Sequence, residues 1–147
     1  MKLTRLDHSA LIVRDLDRTR HFYGTVLGLE EVPRPSSFKF GGCWFRGPNF
    51  ELHFILEKDT TSPAGWLDAG PGLKSGLAHH LAFAVDDLDE ATRTLEKHGV
   101  PLSAGPFQRG DGIVQMYVDD PDGHFIELFA RVDRPDIAGG DRPAVTR

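Results

Sequence analysis

Apolar and polar residues alternate over residues 6–13, which is the pattern of a strand with one buried face. Asp15 and Asp17 follow at once, and either carboxylate can accept the first amides of a helix. The helical pattern continues to about Leu27, and Gly28 can end it. The chain is therefore predicted to begin with a strand followed by a helix.

Two apolar stretches rich in aromatic residues follow this helix. They predict strands near residues 38–45 and 50–57, separated by turn residues at 46–49. The proline-rich residues 31–35 give no clear prediction. Residues 58–78 hold several glycines and prolines, so we expect a loop there that could act as a lid.

The second half of the chain repeats this order of patterns. Residues 80–85 predict a strand, and residues 89–98 predict a helix that Gly99 can end. A strand over 113–118, a turn over 119–123 and a strand over 125–130 follow.

An internal repeat supports this parallel between the halves. The residues VRDLD at 13–17 reappear as VDDLD at 85–89, an offset of 72 that also places His8 on His80. We therefore predict an α+β fold of two βαβββ modules, at about 5–57 and 79–130, which form a curved mixed sheet with a concave face. A single domain would span residues 1–130, followed by a flexible tail over 131–147, which is charged and rich in Pro and Gly.

Composition narrows the possible partners. A chain of 147 residues can bury one core, and a net charge of −5 without a basic stripe argues against nucleic acid. No apolar stretch is long enough to cross a bilayer, and the N-terminus lacks a secretory pattern, so we expect a cytoplasmic protein without membrane contact. Cys43, the one cysteine, is interpreted as a core residue.

The repeat predicts a metal site. If the odd-numbered residues of the first strand face its helix, His8 faces the opposite, concave surface of the sheet. The same alternation, applied to the strands at 80–85 and 125–130, turns His80 and Glu127 toward the concave surface as well. Two imidazoles and a carboxylate on strands suit a borderline divalent ion: iron(II), manganese, nickel, cobalt or zinc. His79 has the wrong parity, and His21, His98 and His124 are expected on the surface or in turns.

Four motifs resemble the vicinal-oxygen-chelate superfamily, the glyoxalase, bleomycin-resistance and extradiol-dioxygenase fold. They are LDH at 6–8 with VRDL at 13–16, HFYGTVLGL at 21–29, HLAFAVDDL at 80–88 and DPDGHFIEL at 120–128. The resemblance implies that a metal chelates two neighbouring oxygens of a small-molecule substrate. A chain of only two modules implies a glyoxalase-like lyase or isomerase, in which Glu127 or another pocket carboxylate moves the proton.

The fourth metal ligand is left open between Glu51 and His53, which share one face of a strand. The spacing from Gly47 to Glu51 repeats that from Gly123 to Glu127, and Glu51 would complete the two-His, two-Glu set of glyoxalases. The string around His53 instead resembles the many members with histidine there. We favour His53 as the ligand, with Glu51 as a pocket acid or base.

Two other functions remain open. The first is an extradiol-type ring-cleaving dioxygenase, which would use iron(II). Tyr117 is similar in placement to the acid–base tyrosine of that class, although a packing role would also explain Tyr117. The second-sphere histidine that these enzymes have upstream of the second-module metal histidine has no counterpart in this sequence. A metal-free binding or drug-resistance protein would instead hold its ligand in an aromatic cleft. That cleft would be lined by Phe40, Trp44, Phe50 and Phe107.

Two expectations concern the surroundings of the site. Arg109, in a segment (105–112) predicted to be flexible, could meet an anion or solvent. Members of this length commonly pair as homodimers whose sites combine modules from both chains, and open sheet edges need cover. We therefore expect a homodimer.

Overall fold

The computed structural model describes residues 1–65 and 79–131. The chain divides into two compact units, Met1–Gly65 and Trp66–Arg147. Residues 66–78 of the predicted lid loop and residues 132–147 of the predicted tail lie outside the described residues. Among the residues described, no helix is long and apolar enough to span a membrane.

The first unit contains one four-stranded sheet. In chain order its elements are β1 (His8–Val13), α1 (Leu16–Arg20) continued by a π-helical segment (His21–Val26), β2 (Glu30–Val32), β3 (Gly42–Arg46) and β4 (Glu51–Leu56). The strand order is β1-β4-β3-β2. The β1–β4 pair is parallel and the other pairs are antiparallel.

The second unit repeats this topology. Its elements are β5 (Leu81–Ala84), α2 (Leu88–Lys97), β6 (Ala104–Gln108), β7 (Ile113–Asp119) and β8 (Phe125–Arg131). The strand order is β5-β8-β7-β6, again with one parallel pair, β5–β8. The predicted βαβββ repeat and α+β class are confirmed, with a separate mixed sheet in each described unit.

Equivalent aspartates start the two main helices. Asp15 accepts hydrogen bonds from the backbone amides of Asp17 and Arg18 at 2.9 and 3.0 Å. Asp87 does the same for Asp89 and Glu90 at 2.7 and 3.0 Å. Each carboxylate satisfies amides that the first helical turn leaves without partners, so the repeated aspartate fixes where both helices begin.

Each helix covers one face of its sheet, as strand parity predicts. In the first unit, Leu11 and Val13 are buried and His8 and Ala10 are exposed. In the second unit, Ala82 and Ala84 are exposed on β5, whereas Leu81 and Phe83, which alternate with them, are partly buried. The candidate site residues therefore project from the face opposite each helix.

Aromatic rings fill the core of the first unit. Tyr23 is fully buried, and its ring centroid lies 4.3 Å from that of Phe54 and 6.4 Å from that of Phe45. Cys43 is also buried, and burial raises the pKa of its thiol to about 11. The cysteine is therefore a protonated core residue, as predicted.

Two local predictions are wrong, and one strand was not predicted. The unpredicted strand is β2 (residues 30–32), which pairs with β3 and whose two glutamates leave it without a clear apolar alternation. Residues 38–41 lie outside the strand predicted there, because β3 begins only at Gly42. Residues 104–108 form β6, where a flexible segment was expected from the glycines; pairing with β7 orders them.

Candidate metal centre

His8 and His53 come together on the sheet of the first unit. The parallel pairing of β1 and β4 places Glu51 opposite His8 and His53 opposite Ala10. The small Ala10 side chain leaves room for the His53 ring, which stacks on the His8 ring with centroids 4.2 Å apart and planes 18° apart. Two imidazoles therefore lie side by side on the face opposite the helix.

Each of these histidines has a carboxylate partner. The Nδ1 atom of His8 lies 3.1 Å from Asp7, which also binds Arg5. The hydrogen bond with His8, and then that with Arg5, lowers the pKa of Asp7. Asp7 is thus an ionised carboxylate that fixes the His8 ring and leaves its Nε2 atom to bind a ligand.

Glu51 serves His53 in the same way. The Nε2 atom of His53 lies 3.0 Å from Glu51 Oε2, and Arg46 donates two hydrogen bonds to Glu51 Oε1 at 3.0 and 2.8 Å. The hydrogen bond with His53, followed by that with Arg46, lowers the pKa of Glu51. Glu51 is therefore ionised at neutral pH, which suits a base better than an acid.

In the second unit, His80, Tyr117 and Glu127 converge. The Nε2 atom of His80 lies 3.1 Å from Glu127 Oε2, and the Tyr117 hydroxyl donates to the same oxygen at 3.2 Å. The pairing of β7 with β8 places Tyr117 directly opposite Glu127. Only 7% of the Glu127 side chain is exposed, and these two partners supply hydrogen bonds to its buried oxygen.

The Phe125 ring helps to hold this group. It stacks on Tyr117, with centroids 4.7 Å apart and planes 4° apart. The His80 ring meets Tyr117 and Phe125 edge-on, at 6.0 and 6.5 Å. These contacts restrict the rings of Tyr117 and His80, so packing holds in place the polar atoms that these two residues direct at Glu127.

Strand register makes His53 the counterpart of Glu127. Ala10 follows His8 by two residues and pairs with His53; Ala82 follows His80 by two residues and pairs with Glu127. Glu51 lies two residues before that position. The spacing from Gly47 thus does not correspond to the spacing from Gly123, and the register supports His53 as the first unit's second ligand.

The same register relates Trp44 to Tyr117. Trp44 pairs with His53 across β3 and β4, and Tyr117 pairs with Glu127 across β7 and β8. The Trp44 ring stacks on the His53 ring at 3.7 Å and 6°. His53 on β4 and Glu127 on β8 therefore each have an aromatic neighbour at an equivalent position of the adjacent strand. Sequence parity alone did not identify Trp44 as the neighbour of His53.

The remaining histidines separate into surface and buried positions. His21 and His79 are exposed and His98 is half-buried. His124, expected at the surface or in a turn, is 1% exposed. Its ring nitrogen lies 2.7 Å from Asp120, whose other oxygen accepts the backbone amides of Asp122 and His124. His124 thus directly follows the predicted turn and is buried, because its ring completes the turn's hydrogen bonds.

Arg109 follows the last residue of β6 and pairs with Asp111 at 2.7 Å. The hydrogen bond to Asp111 raises the pKa of Arg109, and the charge of Glu127 contributes in the same direction. Of the residues predicted for an aromatic cleft, Phe107 lies on β6 of the second unit, and Phe40, Trp44 and Phe50 belong to the first. Trp44 and Phe40 lie around Phe38, whereas the ring of Phe50 packs over Gly47.

The donors fit a divalent metal in chemistry. Imidazole and carboxylate are the ligands that zinc, iron, manganese, nickel and cobalt accept. The described residues bring the donors together in pairs, His8 with His53 and His80 with Glu127. Within residues 1–65 and 79–131, no group of three or more His, Cys, Asp or Glu side chains could hold an ion. A centre that joins the two pairs stays a prediction.

Known proteins resemble the chain over most of its length. Residues 5–128 match the profile of the Glyoxalase/Bleomycin resistance protein/Dioxygenase superfamily. The chain is 32% identical over 136 residues to a lactoylglutathione lyase from Salmonella typhimurium, covering 88% of this chain and 94% of that protein. It is 26% identical over 129 residues to Glyoxylase I 4 from Arabidopsis thaliana, covering 87% and 71%.

A solved structure is also similar. A putative glyoxalase family protein from Bacillus anthracis superposes with a TM-score of 0.71 at 29% identity, covering 90% of this chain and 98% of that one.

Proposed function

The chain belongs to the Glyoxalase/Bleomycin resistance protein/Dioxygenase superfamily, and from this premise we propose that it is a divalent-metal-dependent lyase or isomerase of glyoxalase type. Its substrate would be a small molecule that chelates the metal through two neighbouring oxygens. The observation that carries the proposal is the equivalent placement of His53 and Glu127 beside His8 and His80.

The proposed ligands are His8, His53, His80 and Glu127. A bound divalent ion would supply Lewis-acid stabilisation of an oxyanion on the substrate. The chain would supply orientation, since Asp7 fixes His8 and the hydrogen bond from Tyr117 fixes Glu127. Stacking between His8 and His53 adds a further restraint on both rings.

Proton transfer is assigned to carboxylates of the site. Glu51 is kept ionised by Arg46 and His53, so it can accept a proton from a carbon next to a substrate carbonyl. Glu127 is the alternative proton carrier, because its partner Tyr117 can hold the carboxylate in either charge state by hydrogen bonding. The lactoylglutathione lyase from Salmonella typhimurium makes lactoylglutathione formation the first reaction to assay.

Tyr117 supports a second candidate, an iron(II)-dependent ring-cleaving dioxygenase. Its hydroxyl is buried beside Glu127 and His80, where it could exchange a proton with a substrate oxygen. The protein is loaded with iron(II) under anaerobic conditions and then mixed with a catechol in oxygenated buffer. Oxygen consumption distinguishes this function from the lyase, which consumes no oxygen.

Metal stoichiometry tests the common premise. Elemental analysis of the purified protein should find one divalent metal per candidate ligand set. His80→Ala and Glu127→Ala should each lose most of it while the domain stays folded, because neither residue belongs to the apolar core. His79→Ala is the matched control, since its exposed side chain lies next to His80 with the opposite parity. Unchanged metal content in both ligand variants would refute the assignment.

A further inference from the structure

We propose that Phe38 and Trp44 of the first unit form a subsite for an aryl group of the substrate, next to the candidate ligand His53. The proposal rests on the proposed function for where the chelating end of the substrate binds. It adds the substrate class, namely a small molecule with neighbouring oxygens at one end and an aromatic ring at the other.

The rings form a continuous row that starts at the candidate ligands. His8 stacks on His53, and His53 stacks on Trp44. Beyond Trp44, Phe38 meets the indole edge-on, with centroids 5.5 Å apart and planes 64° apart. A substrate chelated beside His53 would therefore meet the indole edge and the Phe38 ring.

Arg34 fixes the loop that carries Phe38. It donates hydrogen bonds to the carbonyls of Gly42 at 3.1 Å and Phe40 at 2.9 Å. Its guanidinium also lies 4.9 Å from the Phe40 ring centroid and 5.8 Å from that of Phe38. Phe38 is thus held from one side, yet 42% of it remains exposed. A rigid aromatic ring that is partly open is a preorganised binding surface.

The chemistry of this surface favours a ring over an anionic tail. Arg34 directs two of its donor nitrogens to backbone carbonyls, and its charge lies over two phenyl rings. Phe38 and Trp44 therefore offer ring faces and edges, which pair best with another aromatic ring in offset or edge-to-face geometry. A saturated chain of the same size would gain contact area but not this pairing.

Paired ligands test the subsite. Mandelate and lactate carry the same 2-hydroxy acid, and only mandelate adds a phenyl ring. Calorimetric titration of the manganese-loaded protein should give a Kd for mandelate about tenfold lower than for lactate. Phe38→Ala and Phe38→Leu should bring the mandelate Kd to the lactate value and leave lactate unchanged. Phe50→Ala is the matched control for the loss of a phenyl ring, because that ring packs over Gly47.

Each other outcome overturns the proposal. Equal Kd values for the two acids, or a preference that survives in Phe38→Leu, would show that no aryl subsite exists at Phe38. A third outcome is that the parent protein shows no aryl preference and that light scattering finds a dimer in the parent protein but a monomer in Phe38→Ala. The surface would then bind a second copy of the chain.

The subsite can also be tested apart from the metal. If the protein binds no metal, the proposed function fails, and benzyl alcohol can be titrated into the metal-free protein by NMR. Shifts of the Trp44 indole signal that vanish in Phe38→Leu would support the aryl subsite alone. Unperturbed signals at Trp44 would overturn it.

Discussion

The Glu51 carboxylate is shared between a guanidinium and an imidazole. Arg46 occupies one oxygen and His53 the other, and both contacts favour the ionised form of Glu51. A carboxylate held in this way can fix the His53 ring and receive a proton. Its register position, two residues before the counterpart of Glu127, argues that Glu51 supports a ligand and is not itself one.

Metal affinity should therefore fall further in His53→Ala than in Glu51→Ala. Loss of an orienting partner weakens metal binding by about 10- to 100-fold, and loss of a ligand costs more. Competition titration with a chromophoric chelator measures both values on the zinc-loaded protein. His98→Ala provides a control histidine, at the C-terminal end of α2. The reverse order of affinities would identify Glu51 as the ligand and His53 as its support.

The Tyr117 hydroxyl donates a hydrogen bond to the Glu127 carboxylate, and both residues are buried. Tyr117→Phe should retain the metal and lower kcat by about 100-fold, the lower range for loss of a positioned acid–base group. The comparable change Tyr23→Phe alters a buried ring of the first unit's core and should leave kcat unchanged. An unaffected kcat in Tyr117→Phe would leave Tyr117 a packing residue.

At the residue scale, sequence parity predicted which faces carry His8, His80 and Glu127, because alternation survives wherever one strand face is apolar. It could not separate Glu51 from His53, since both have the same parity, and only the pairing with Ala10 distinguishes them. Burial of His124 was also missed. That burial depends on Asp120, whose carboxylate reaches three groups at once.

At the scale of elements, the two helix N-caps give a direct stability test. Asp15→Ala and Asp87→Ala should each lower the free energy of unfolding by about 1 kcal/mol, since two backbone amides lose their acceptor. Asp17→Ala is the control for position, because it lies in the first turn without capping it. Urea denaturation followed by circular dichroism measures the effects, and equal losses in all three variants would contradict the capping role.

The turn between β7 and β8 fixes the strand that carries Glu127. Asp120→Ala removes the acceptor for two backbone amides and leaves the buried His124 ring without its carboxylate. The free energy of unfolding should drop by about 2–4 kcal/mol. Asp111→Ala, in the exposed turn before β7, should change it little. If the two variants unfold alike, the buried pair is not what stabilises the turn.

Elements with strong periodicity or a repeated start signal were predictable from sequence. β1, α2, β7 and β8 were predicted within about two residues at each end, since their apolar patterns are long and bounded by aspartate or glycine. The π-helical turn at His21–Val26 has no sequence signal beyond that of a helix. β2 and β6 depend on pairing with β3 and β7, and the residues of such short strands do not by themselves show that pairing.

At the scale of the whole molecule, the repeat gives each unit half of the proposed ligand set. His8 and His53 belong to the first unit, and His80 and Glu127 belong to the second. A chain with two such halves can complete a site within itself or with a partner chain, as a symmetric dimer would allow. The two arrangements differ in what a mixture of variants can do.

Mixing His8→Ala with His80→Ala should restore metal binding if each site combines the first unit of one chain with the second unit of its partner. A mixed dimer would then hold one site with both substitutions and one with neither. Random exchange of equal amounts makes about half of the dimers mixed, so about a quarter of all sites should bind metal again. Sites contained in one chain would restore none, because every chain carries a substitution.

Equilibrium dialysis after subunit exchange measures the fraction of sites that bind metal, and light scattering establishes that the mixture is dimeric. A mixture of His79→Ala with His80→Ala is the control for stoichiometry, since it should bind at about half of its sites under either arrangement.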